Sequence, residues 1–148
     1  MLAQRQNLGS MEFALHSRLA ADTTYVTDWP LSRVLLMQDA RFPWLVLVPR
    51  RVGASELHDL PSLDCRRLIQ EIAQASLVLK DLTGAAKINV GALGNLVPQL
   101  HIHVVARCLG DAAWPGPVWG HGVPVAYSPT ALSELLARLS EQLARPLP

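Results

Sequence analysis

Pro98-Gln99-Leu100-His101-Ile102-His103-Val104-Val105-Ala106-Arg107 alternates polar and apolar residues through its first half. This is the period-two pattern of a half-buried β-strand. Side chains on a strand point alternately to its two faces. Gln99, His101 and His103 therefore share one face, while Leu100, Ile102 and Val104 share the other, the natural core face. Like-facing residues lie roughly 6.5–7 Å apart along a strand. Two imidazoles at that spacing can reach different atoms of one phosphate-sized ligand. Two of the five histidines in the chain thus stand side by side on a rigid element.

Upstream of this strand, Lys87 to Val90 reads as another strand, followed by the glycine-bearing turn Gly91-Ala92-Leu93-Gly94-Asn95. Before that, the pattern predicts a long helix over Ser62 to Leu82. Leu68, Ile69, Ile72, Leu79 and Leu82 form its apolar face, and Arg66, Arg67, Gln70, Glu71, Gln74 and Lys80 lie mostly elsewhere. Gly84 stands where a left-handed cap ends such a helix. Thr23–Thr27, Arg33–Met37 and Trp44–Val48 read as three short strands, broken by Asp28-Trp29-Pro30 and by the turn Asp39–Pro43. Their brief connections suggest antiparallel neighbours, and their continuous apolar character suggests cover on both faces. Phe13 to Ala21 reads as a short helix ending before Asp22. After the histidine strand comes the loop Asp111 to Gly120, with tryptophans at 114 and 119 as packing anchors. Ser128-Pro129 then opens a final helix striped by Leu132, Leu135, Leu136, Leu139 and Leu143. Strands, helix, strands, helix is the order of an α+β domain with a mostly antiparallel sheet.

The 148 residues suffice for one domain with its own core, expected over residues 11–148. Residues 1–10 carry one basic residue and no apolar stretch, so they read as a loose tail, not a secretory signal. A formal net charge of +1 gives no reason to expect nucleic acid or an anionic membrane as partner. No apolar run is long enough to span a bilayer. Cys65 and Cys108 form no disulfide framework, and reduced thiols in a cytoplasmic protein are the simpler reading. Neither has an adjacent base that would mark it as a nucleophile.

An imidazole is a nucleophile and a proton carrier near pH 7. Attack on phosphorus by one histidine, with a second assisting the leaving group, needs two imidazoles that are close but differ in environment. Charge developing on the phosphate must be met by donors. The Gly91–Asn95 turn supplies them, because glycines let backbone N–H groups come close and Asn95 adds a side-chain donor.

The run from Asn89 to Arg107 resembles the signature of the histidine triad (HIT) family: a glycine turn, then histidines alternating with apolar residues. Val46-Leu47-Val48-Pro49-Arg50-Arg51, Leu57-His58-Asp59-Leu60 and Trp114-Pro115 resemble further family segments, so the likeness spans roughly residues 22–120. The resemblance implies a HIT-like fold and a homodimer with no built-in metal or cofactor. It also implies a nucleotidyl hydrolase or transferase acting at the α-phosphate of a dinucleoside polyphosphate or nucleoside phosphoramidate. His101 would be the nucleophile, forming a nucleotidyl-histidine, and His103 would contact the phosphate or leaving-group oxygen. Asn89 and Asn95 match positions used near the ribose and phosphate, and Gly94 and Val97 belong to the same substrate-binding stretch.

Three positions depart from the family pattern. Gln99 replaces the first histidine; it can hydrogen-bond a phosphate oxygen but carries no proton. If the site is a triad with its first member lost, Gln99→His should keep or raise activity. Trp44 stands at about the place of a further histidine and reads as core. Leu96 stands where a hydroxyl residue commonly holds the phosphate. The rival readings are a nucleotide-binding module with little turnover, a metal site, and two histidines that merely satisfy the backbone. A metal needs a third ligand, and His16, His58, Cys108 and His121 stand at no telling spacing. His16 and His58 read as surface or cap residues and His121 as a loop residue. Arg107 reads as pairing with an acid across the dimer.

Overall fold

The three apolar runs near the start of the chain pair in hairpin order, because each connection is too short for anything else. The computed structural model describes residues 12–146; the tail expected over residues 1–10 lies outside the described residues. A short helix α1 (Ser17–Asp22) leads into β1 (Thr23–Asp28), β2 (Ser32–Met37) and β3 (Trp44–Pro49). The long helix α2 (Ser62–Thr83) follows, then β4 (Lys87–Gly91), β5 (Ile102–Arg107) and α3 (Pro129–Leu143). The five strands form one sheet in the order β1-β2-β3-β5-β4, antiparallel throughout. This is the α+β arrangement expected.

Each face of the sheet is covered. On one, Val34, Leu36, Leu45, Leu47, Ile102, Val104 and Ala106 pack against Leu68, Ala75 and Leu79 of α2 and Leu139 and Leu143 of α3. On the other, Leu35, Val46, Val48 and Val105 pack with Leu19, Phe42, Trp44 and Val97. Gly84 closes α2 in the left-handed conformation at φ 65°, and the Ser128 hydroxyl caps α3 by accepting from the Ala131 amide.

Four expectations are corrected. The histidine strand begins at Ile102, not Gln99: the last β3 pairing is Leu47 with Ile102, and the Leu100 amide donates instead to the Ala54 carbonyl. The face assignment survives, since Leu100 and Ile102 enter the helix-side core and His103 does not. The first helix begins at Ser17, capped by His16 Nδ1 accepting from the Arg18 amide, and extends through Asp22. Ile69 is 67% exposed, because the buried stripe of α2 runs through Leu68, Glu71, Ala75 and Leu79, one residue off its own angle. Glu71 is buried at the helix–sheet boundary, where its two carboxyl oxygens accept from the amides of Leu31 (2.9 Å) and Ser32 (3.0 Å). Those amides start β2 and would otherwise be orphaned in the core.

Candidate active site

Cross-strand register builds the site on the face away from α2 and α3. His103 on β5 lies opposite Val46 of β3 and Gly91 of β4, and Trp44 opposite Val105, so all five share one side of the sheet. His101 sits two residues before His103 in the lead-in to β5, and the ring centroids are 4.9 Å apart. Both histidines are buried to 6% exposure. They line a mainly apolar cleft of about 390 Å³ together with Leu19, Trp44, Val97 and Trp119. His101 also borders a more polar cleft of about 280 Å³, lined by Ser55, Glu56, His58, Gly94 and Gln99. It thus stands between two cavities of different character.

Hydrogen bonds orient both rings. His101 Nδ1 lies 2.6 Å from the Gln99 carbonyl oxygen. A carbonyl can only accept, so Nδ1 carries a proton, and in the neutral ring Nε2 keeps its lone pair. The Trp44 indole Nε1 donates to His103 Nδ1 at 3.0 Å. Burial, with the neighbouring His101 ring second, pushes the His103 imidazole down to about 4, so it is neutral at physiological pH. Trp119 packs edge-on against both, with centroids 5.8 Å from His103 and 6.3 Å from Trp44. Gly91 makes room for it: a Cβ there would meet the Trp119 ring at 3.1 Å.

The other residues singled out in the sequence distribute unevenly. Gly94, with φ 73°, borders both clefts, while exposed Asn95 and buried Val97 line the larger one. Asn89 reaches neither cleft. Its Oδ1 accepts from Arg107 Nη1 at 2.8 Å, about one residue pair beyond the site. Gln99 borders the polar cleft, but its side chain is committed elsewhere: Oε1 accepts from the His16 amide (2.8 Å) and Nε2 donates to the Ala14 carbonyl (2.9 Å). Its backbone, not its amide, serves His101. Arg107 pairs within the chain: Nε and Nη2 donate to the two oxygens of Asp111 at 2.7 and 2.9 Å. That pairing removes the need for an acid from a partner.

Trp44 is the residue that sequence reasoning underrated. Its apolar run marked it as core, which its 7% exposure bears out, yet its polar edge serves the site. The available signal was its place where the family carries a further histidine. Among the described residues no three His, Cys, Asp or Glu side chains cluster as metal ligands would.

The fold recurs in known proteins. A histidine triad protein from Bradyrhizobium japonicum is 48% identical, with a TM-score of 0.87 over 89% of this chain and 98% of that one. A histidine triad protein from Marinobacter aquaeolei is 46% identical, with a TM-score of 0.87 over 89% and 96%. A curated relative, AP-4-A phosphorylase from Mycobacterium tuberculosis, is 39% identical over 74 residues, which is 46% of this chain and 37% of that protein. The chain therefore spans little more than a third of that relative. The model of the HIT domain matches residues 18–108, all five strands and both site histidines, and this chain belongs to the HIT family.

Proposed function

We propose that the chain is a nucleotidyl hydrolase or transferase acting at the α-phosphate of a nucleoside phosphate conjugate, a dinucleoside polyphosphate or a nucleoside phosphoramidate. The observation that carries this reading is the His101 imidazole, bonded through Nδ1 to a carbonyl so that Nε2 keeps its lone pair at the border of two clefts. The lone pair attacks the α-phosphorus. The bond from phosphorus to the bridging oxygen or nitrogen breaks, its electrons leave with that group, and a bridging nitrogen takes a proton from solvent as it departs. Water then attacks phosphorus, the P–N bond returns its electrons to His101, and the water proton passes to solvent. His103 and the amides of the Gly91–Asn95 turn act as donors to the phosphate oxygens. The apolar cleft suits a nucleoside and the polar cleft the leaving group. A relative named as a phosphorylase of AP-4-A fits the same chemistry.

β4 is an edge strand with no second partner among the described residues, and its Val90 is 48% exposed. Pairing of two such edges into one continuous sheet completes the reading as a homodimer.

The deciding experiment is AMP release from adenosine phosphoramidate and diadenosine tetraphosphate by the wild type and His101→Ala. The variant should lose at least roughly 10³-fold in kcat while its circular dichroism is unchanged, since the ring faces the clefts and not the helix-side core. No turnover by either protein, with nucleotide binding retained, would replace this reading with a binding module.

A further inference from the structure

The two imidazoles are held by bonds of opposite sense. His101 Nδ1 meets a carbonyl oxygen, which only accepts, and His103 Nδ1 meets an indole N–H, which only donates. A ring nitrogen that accepts the indole proton has none of its own, so the single proton of neutral His103 lies on Nε2. His101 has the reverse arrangement. Neighbouring rings 4.9 Å apart are therefore fixed in opposite tautomers.

We infer that Trp44 is a positioning residue for the reaction: its indole N–H holds His103 as the neutral Nε2–H tautomer, a hydrogen-bond donor that neither competes with His101 as nucleophile nor takes up a proton.

The packing supports this assignment. Trp44 is itself 7% exposed and stands edge-on to the His103 ring at 5.5 Å and 66°, with its N–H donated to Nδ1 at 3.0 Å. Protonating His103 would set two donors, Nδ1–H and the indole N–H, against each other. The groups facing His103 add little opposing charge. β3 contributes Trp44 and Val46, β4 contributes Gly91, and the loop after β5 contributes Trp119, none of which titrates. The titratable and charged groups on the same cleft are His101, in the lead-in to β5, and Arg18 and Asp22 of α1. Of these, the His101 ring opposes a charge on His103.

The catalytic consequence rests on the reading of His101 as nucleophile, whereas the tautomer does not. Long-range ¹H–¹⁵N spectra of histidine-labelled protein, taken from about pH 5 to about pH 8, read the protonation of each ring nitrogen. In the wild type His103 should show a bare Nδ1 and a protonated Nε2 throughout. In Trp44→Phe, which keeps a ring and loses the donor, the Nδ1–H form should appear and the His103 midpoint should rise by about one unit. AMP release by that variant should fall roughly tenfold, in kcat and not in KM. Trp119→Phe removes packing but no bond to His103, and should leave the tautomer as it is.

A proton on His103 Nδ1 in the wild type would overturn the inference. So would an unchanged His103 in folded Trp44→Phe, or an equal change in Trp119→Phe. Should Trp44→Phe fail to fold, the wild-type and Trp119→Phe spectra still decide. With the spectra as expected, a fully active His101→Ala would remove the nucleophile reading alone and leave the tautomer assignment standing.

Discussion

The two faces of the sheet are built on different principles. The face toward α2 and α3 is a continuous apolar layer from Val34 to Ala106, with Glu71 as a polar group held between helix and strand. The other face has Trp44, Val46, Val48 and Val105 at its centre, but polar groups stand on the same strands: His103 and Arg107 on β5, Asn89 on β4. The first face is stabilised by area removed from water, which is tolerant of detail. The second depends on each buried polar atom finding one particular partner. A site that must orient two imidazoles belongs on the second kind of face, and substitutions there should behave differently from those on the first.

The largest effect on stability is expected at Arg107. Its guanidinium is 2% exposed, chelated by Asp111, bonded to Asn89, and packed 5.9 and 5.7 Å from the ring centroids of Phe42 and Trp114. Arg107→Ala strands the Asp111 carboxylate in the interior and should cost about 3–5 kcal/mol in urea unfolding. That resembles the roughly 2–5 kcal/mol of a Leu79→Ala truncation on the helix face, so size alone does not separate the faces. Rescue does. Replacing both partners, Arg107→Met with Asp111→Leu, should restore most of the loss, because the penalty lies in the orphaned charge. A double variant no better than the single one would mean that this face, too, is held by packing.

A smaller effect of a different form is expected from His103. Its folded value of about 4 lies below the ordinary histidine value of 6.5, so between these the unfolded chain binds a proton that the folded chain refuses. The His103 contribution is thus present above pH 6.5 and lost as pH falls toward 4, by about 3 kcal/mol in all. Asp111, held below the usual carboxylate range by Arg107, adds a further loss only at lower pH. Guanidinium unfolding across this range should show the His103 slope in the wild type and not in His103→Gln. An unchanged slope in that variant would assign the pH dependence to other groups. No comparable slope is expected from the apolar layer of the opposite face.

Most of the helix-side face was legible in the sequence, because area burial is written in residue type and spacing. The period of α2 and the runs of β1 to β4 placed their residues within a residue or two, and the alternation from Leu100 to Val104 gave the right faces although β5 starts only at Ile102. Ile69 failed because a one-position shift of a helical stripe leaves the residue count on the face almost unchanged. Glu71 failed because polar residues were assigned outward by type, while its partners, the amides of Leu31 and Ser32, have no signature in side-chain identity. On the site face the histidines were found, and their bonds were not. Which nitrogen of His101 is bare depends on a backbone carbonyl, and the indole of Trp44 reads as an apolar side chain in any pattern. The partners of Asn89 and Arg107 are likewise fixed by register and by a loop, neither of which composition specifies.

Gln99 gives the smallest expected effect and tests the border between the two kinds of reading. As a lost histidine it should regain activity on replacement by histidine; the structure gives it another task. Its amide ties residues 14 and 16 to the lead-in of β5, immediately before α1, whose Arg18, Leu19 and Asp22 line the larger cleft. An imidazole can replace one of those two bonds and not both, at a cost of about 1 kcal/mol. The backbone carbonyl that orients His101 is kept by any residue at this position. Gln99→His should therefore leave kcat nearly unchanged and raise KM severalfold, as α1 loosens over the cleft, with a drop in Tm of a few degrees. A fall in kcat at constant KM would show instead that the amide leaves Ala14 and His16 to reach the phosphate during turnover. Either result separates a residue that shapes the cleft from one that takes part in the chemistry, which the family pattern at this position cannot do.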